Sequence, residues 1–203
     1  MLQRILVWDM PTRVFHWLLA LSFAGAFLTA ETERYRDIHL MLGYTFLGAI
    51  IFRIIWGFVG TRYARFRSFL FQPGMVIRYI RSLFGKAPEH HIGHNPAGAV
   101  AIFLILGLGI LIGLSGILLY FEVGGDVFEE LHEVIANTML LVVAIHIVGV
   151  VVSSVLHHEN LVRAMITGYK AGEANQAANQ SFLWLGILLL VAVVIYWVGT
   201  LSA

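Results

Sequence analysis

The stretch LHEVIANTMLLVVAIHIVGV, residues 131–150, sets two imidazoles fourteen positions apart, the second of them inside an otherwise apolar run from Met139 to Val150. An imidazole at membrane depth must find a partner, because an unsatisfied polar group in hydrocarbon costs several kcal/mol. Fourteen residues is about 21 Å of helical rise and falls within about 40° of a whole number of turns, so His132 and His146 project from one face of a helix. The fold follows from asking what that face meets.

The chain has 203 residues, of which 59% are hydrophobic and 12% charged, and a mean hydropathy of +0.83. That composition is too apolar for a water-soluble domain and points to an integral membrane protein. Nothing in it suggests nucleic-acid binding. The absence of cysteine excludes disulfides, iron–sulfur clusters, thiolate-held metals and covalently attached haem, which leaves histidine as the main ligand type. Five stretches, 14–30, 38–59, 96–121, 131–156 and 182–201, are long enough or nearly so to cross about 30 Å of hydrocarbon. The first has no convincing signal-peptide cleavage site and is read as a retained helix. Asn95-Pro96 opens the third with a capping side chain followed by proline at the first helical position.

If the five spans alternate, Arg4, Arg13, Arg53, Arg62, Arg65, Arg67, Arg78, Arg81, Lys86, Arg163 and Lys170 share one side, and Arg34 and Arg36 take the other. The positive-inside tendency makes the N-terminus cytoplasmic and puts the C-terminus outside. The far side carries the acidic loop with Glu122, Asp126, Glu129, Glu130 and Glu133. On the basic side, PGMVIRYIRSLF from Pro73 has the spacing of an amphipathic helix lying along the membrane surface. AGEANQAANQS, residues 171–181, reads as a flexible link, dividing a bundle at 1–170 from a fifth helix within 171–203.

This topology sorts four histidines by depth: His39 with His132 toward the outside, His16 with His146 toward the inside. Two imidazoles at one depth on facing helices can ligate a planar macrocycle from both sides, and a haem b iron is the natural occupant. The alternative for any single intramembrane histidine is a packed side chain bonded to a neighbouring carbonyl. Arg53, fourteen residues after His39, points from the same helix face at the inner depth, where it would meet haem propionates or snorkel to lipid phosphates. Arg13 is a second candidate contact for the cofactor. Gly109, Gly113 and Gly116 share a face that would admit a porphyrin edge or a close helix. His157 and His158, just past the fourth span, are candidates for proton exchange or simply helix-terminal surface groups.

VWDMPTRVFHW near the start, RFRSFLFQP, GHNPAG, and LHEVIAN, HIVGV and LHHENLVRAMITG further on resemble the bacterial cytochrome b561 family, which includes the cytochrome b subunits of nickel–iron hydrogenases. The likeness runs over about residues 5–170. It implies an all-α integral membrane protein whose four-helix bundle binds two b haems, here with one additional C-terminal transmembrane helix. It also implies electron transfer between the quinone pool and a redox partner, either a c-type cytochrome or a dehydrogenase or hydrogenase subunit. Residue by residue the haem ligands fall on His16, His39, His132 and His146.

Two other functions are open to the same residues. A stand-alone superoxide:quinone oxidoreductase would need positive charge outside to attract an anion, where Arg34 and Arg36 face an acidic loop. A transporter using the histidines as a proton relay would carry no pigment. A zinc protease is set aside, because His132-Glu133 is followed by Ala136 where the second zinc histidine would stand.

Overall fold

The structure, a computed structural model, describes residues 2–85 and 87–202; Lys86, among the basic residues named above, lies outside them. Five helices are long and apolar enough to cross a membrane: α1 (Met10–Thr29), α2 (Arg36–Val59), α4 (Pro96–Tyr120), α5 (Asp126–Leu156) and α7 (Leu183–Leu201). Two shorter helices, α3 (Pro73–Ser82) and α6 (Leu161–Thr167), lie between them. The spans match the hydrophobic stretches, with earlier starts at α1, α2 and α5. Asp9 Oδ1 accepts from the Thr12 amide at 2.7 Å and begins α1. Asp126 and Glu129 in the first turn of α5 suit its positive N-terminal end. Asn95 caps α4 as expected, its Oδ1 accepting from the Gly98 amide at 2.7 Å.

α1 and α2 form one hairpin, α4 and α5 the other. The hairpins meet chiefly along α2 and α4, and α5 keeps its backbone away from α1 and α2. Between the hairpins sits an apolar layer of Phe23, Phe46, Ile50, Leu106 and Met139. Met139 is only 1% exposed and lies midway in sequence between His132 and His146, so this layer separates an outer level from an inner one. Gly109 and Gly113 admit α2: a Cβ there would stand 2.7 Å from Ile50 and 2.5 Å from Leu47. Gly116 instead faces the His132 ring. The glycine face therefore serves close helix packing at two positions and makes room for a histidine at the third.

α7 leans on α1 and touches α2, and the Trp197 indole N–H donates to Thr45 Oγ1 at 2.8 Å. The outward surfaces of the five helices are apolar, with Leu188, Val194, Ile195, Ile145 and Val151 among the exposed side chains, as lipid contact requires. α3 forms where the amphipathic pattern placed it and is pinned by Tyr79, 2% exposed, whose hydroxyl lies 3.4 Å from Ser153 Oγ.

Two features differ from the sequence reading. A two-stranded antiparallel sheet accompanies the helices: β1 (Gln3–Leu6) pairs with β2 (Tyr169–Gly172), Gln3 opposite Gly172. Four-residue strands this far apart carry too few alternations to register as a pattern. Gly168, at φ 88°, turns the chain from α6 into β2, and a Cβ there would meet the Trp8 carbonyl at 2.6 Å. The segment 171–181, expected as a flexible link, is tied down. The Ala178 amide donates to the Leu6 carbonyl at 2.7 Å, the Tyr63 hydroxyl to the Gln176 carbonyl at 2.6 Å, and the Met10 amide to the Ser181 carbonyl at 2.8 Å. Its small polar residues give way to backbone hydrogen bonds that composition does not reveal.

Candidate functional site

At the outer level, His39 near the start of α2 and His132 near the start of α5 face each other across the bundle, ring centroids 6.3 Å apart and planes at 70°. The hydrogen bonds suit the same tautomer in both rings. His39 Nδ1 lies 2.8 Å from the Ala26 carbonyl, which can only accept, so Nδ1 carries the proton. His132 Nδ1 lies 2.9 Å from Ser115 Oγ, and the Ser115 hydroxyl itself donates to the Leu111 carbonyl at 2.8 Å. Ser115 therefore accepts from Nδ1–H. In each ring Nε2 is left with its lone pair, the form in which a neutral imidazole binds a metal.

At the inner level, toward the face that carries the N-terminus, His16 of α1 lies within electrostatic reach of His146 of α5. His146 thus lies near His16. The surroundings are unlike those outside. Among the described residues, every buried side-chain nitrogen or oxygen without a protein partner lies toward this face: Thr12 Oγ1, Arg13 Nε, His16 Nδ1, Arg53 Nη1, Arg65 Nε, His91 Nε2 and His94 Nδ1.

Arg53 is 3% exposed and sits over the rings of Phe66 (4.6 Å), Phe15 (5.4 Å) and Phe69 (5.6 Å). It does not snorkel to the surface. The Asp9 carboxylate, fully buried, accepts from Trp56 Nε1 at 3.1 Å and from the Thr61 hydroxyl at 2.6 Å, which ties the start of α1 to the end of α2 and holds His16 and Arg53 at one level. Arg13 turns elsewhere: Nη1 donates to the Ile166 carbonyl at 2.6 Å and Nη2 reaches Met10 Sδ at 2.7 Å, leaving Nε. His157 and His158 lie beyond the end of α5, not with the inner pair. The His157 ring stacks edge-on against His90 at 5.1 Å, and burial, followed by His90, holds it below the ordinary histidine range.

The residue the sequence reading missed is His94. Its ring lies between Phe69 (4.3 Å) and Trp8 (4.7 Å), and it feels Arg53, His146, His16 and Lys170. Burial first, then Arg53, pushes it down to about 3, so it is a neutral imidazole at physiological pH. The motif GHNPAG contained the signal, but a histidine in a turn has no helical period to place it.

On the far face, Glu122, Asp126, Glu129 and Glu130 are exposed around the start of α5, close to His132. Arg36 there approaches Glu33 at 4.0 Å.

A probable Ni/Fe-hydrogenase B-type cytochrome subunit of Rhizobium leguminosarum bv. viciae is 23% identical, over 82% of this chain and 88% of its own length. The protein of the same description from Rhodobacter capsulatus is 25% identical over 82% and 81%. A probable Ni/Fe-hydrogenase 1 B-type cytochrome subunit of Escherichia coli (strain K12) is 30% identical over 57% and 60%. No solved structure matches. The family model described as prokaryotic cytochrome b561 matches residues 7–168, from just after β1 to just past α6, and the chain belongs to that family of multi-pass membrane cytochromes.

Proposed function

We propose that this chain is a di-haem b-type cytochrome that carries electrons across the membrane between the quinone pool and a redox partner. His39 and His132 would hold one haem b, His16 and His146 the other. The observation that carries the reading is the outer pair. Two metal–imidazole bonds of about 2 Å, plus about 1 Å from each bonded nitrogen to its ring centre, call for centroids roughly 6 Å apart, and the rings stand at 6.3 Å with both Nδ1–H groups already engaged. At the inner level the fit rests on unpartnered donors. Arg53 Nη1 is buried without a partner, as it would be where a haem carboxylate belongs. Arg13 offers at most its Nε to that group.

Bound haem b supplies one-electron exchange between ferric and ferrous iron. The protein fixes the ligand tautomers, separates the two levels with the Met139 layer, and places a cation beside the inner one. Quinone would exchange electrons at the inner level, where the unsatisfied polar groups gather, with His157 and His158 at the adjoining surface. The redox partner would dock outside. The similarity to hydrogenase cytochrome subunits makes a hydrogenase or related dehydrogenase subunit, or a c-type cytochrome, the fitting partner class, and the orientation that of a bacterial inner membrane with the N-terminus cytoplasmic. The exposed acidic groups outside argue against a superoxide site there.

The test is to reconstitute the purified chain in lipid discs and add a quinol. Reduction of the haems at a saturable rate is expected; haems that dithionite reduces and quinol does not would overturn the quinone assignment.

A further inference from the structure

Below the surface of the N-terminal face lies a cavity of about 470 Å³, bordered among others by Arg62, Tyr63, Ser68, His90, His91 and His94. No carboxylate lines it. Two of its imidazoles keep a buried nitrogen without a protein partner, Nε2 of His91 and Nδ1 of His94; the Glu89 carboxylate is 3.8 Å from the former, beyond a hydrogen bond. A space this large with several unsatisfied polar groups on its walls is the kind that ordered water fills, since a single water needs only about 10–15 Å³ of probe volume and two to four partners.

The position of this cavity gives it a use. His94 lines it and lies within electrostatic reach of Arg53 of α2, His16 of α1, His146 of α5 and Lys170 of β2. At the cavity's rim His90 Nε2 lies 3.0 Å from Glu159 Oε1, whose second oxygen bonds Lys170 Nζ at 2.7 Å, and His157 packs on His90. Surface imidazoles and a carboxylate thus adjoin the cavity, and the half-buried His94 forms part of its wall.

We infer that this cavity is a hydrated passage along which protons move between the N-terminal face and the inner site, with His94 as its last protein group. The inference rests on the quinone reading. Quinone plus two electrons and two protons gives quinol; the electrons arrive singly from the inner haem, the protons arrive from the passage, and quinol oxidation returns both by the same routes. A neutral His94 suits the role, because an imidazole takes a proton on one nitrogen and releases one from the other without a resident charge beside Arg53.

The test uses the reconstituted full chain with two variants. His94→Gln removes the relay and keeps a polar side chain, while Ser68→Trp narrows the mouth and leaves His94 intact. Haem content and reduction by dithionite show whether each variant retains its cofactor and its access. Both variants are expected to slow haem reduction by quinol at least about tenfold, with a larger solvent deuterium effect than the native chain and partial recovery of His94→Gln on adding imidazole. Native rates and native isotope effects in both would overturn the proposal. Radiolytic hydroxyl-radical footprinting decides hydration without turnover. Oxidation of His91 and His94 in the native chain that Ser68→Trp suppresses is expected, and no oxidation of either in the native chain would overturn the passage even if the quinone reading stands. Native haems that never respond to quinol would sink the quinone reading and the inference resting on it, a failure separate from variants that behave as native.

Discussion

The two histidine levels are built from the same pair of ligand types yet differ in everything around them. Outside, each Nδ1–H is spent on an oxygen acceptor of its own hairpin, Ala26 for His39 and Ser115 for His132, and no buried side-chain polar atom among the described residues lacks a partner there. Inside, unpartnered donors gather around Arg53, His16 and His94, and a polar cavity approaches from the surface. The outer level is finished as protein and asks only for a metal. The inner level is not, and its unfilled valences fit carboxylates, water and moving protons. On the proposed reading an electron can be handed on at either level, and the chemistry that also needs protons belongs inside.

The sharpest way to break this comparison is to remove one ligand from each level. His132→Ala should lose the outer haem and keep most of the inner one, and His146→Ala should do the reverse, each leaving about half of the native haem in protein that still inserts. Equal loss of both haems from both variants would show that the levels are not independent. Arg53→Gln probes the charge asymmetry. With a buried cation gone, the midpoint potential of the inner haem should fall by an amount on the order of tens of millivolts, while the outer one stays near its native value. Equal shifts in both would mean that Arg53 acts through packing.

These expectations draw on parts of the molecule that were unequally legible. The spans could be read because helical periodicity and apolar composition are redundant signals, repeated over twenty residues at a time. His39 facing His132 follows from depth alone. What escaped lies in short segments folded back by long-range contacts. β1 meets β2 across more than 160 positions, and His94 is buried only because Trp8 and Phe69 close over it from either side. The fate of Arg13 depends likewise on α6 ending where its Ile166 carbonyl is within reach.

The far face extends the comparison to docking. Neutralising Asp126, Glu129 and Glu130 together should slow electron exchange with a basic redox protein roughly tenfold at low ionic strength and much less at high, with the haem spectrum unchanged, because exposed charge mainly sets association rate. A native rate at low salt would move the partner to the membrane-embedded flank. The smallest effect is expected farthest from both levels. Thr45→Val strands the Trp197 indole N–H and should cost about 1 kcal/mol in thermal unfolding without altering either haem; a shifted haem potential would show that α7 is part of a site after all.

The claim on which the rest depends is that four histidines in two pairs hold two haems. Haem quantitation with low-temperature electron paramagnetic resonance on the purified, oxidised chain tests it directly. The account predicts two haems b per chain, both giving the low-spin signals of bis-imidazole iron, at distinguishable g-values because the two surroundings differ. One haem per chain, or a high-spin signal from iron with a single protein ligand, would contradict it.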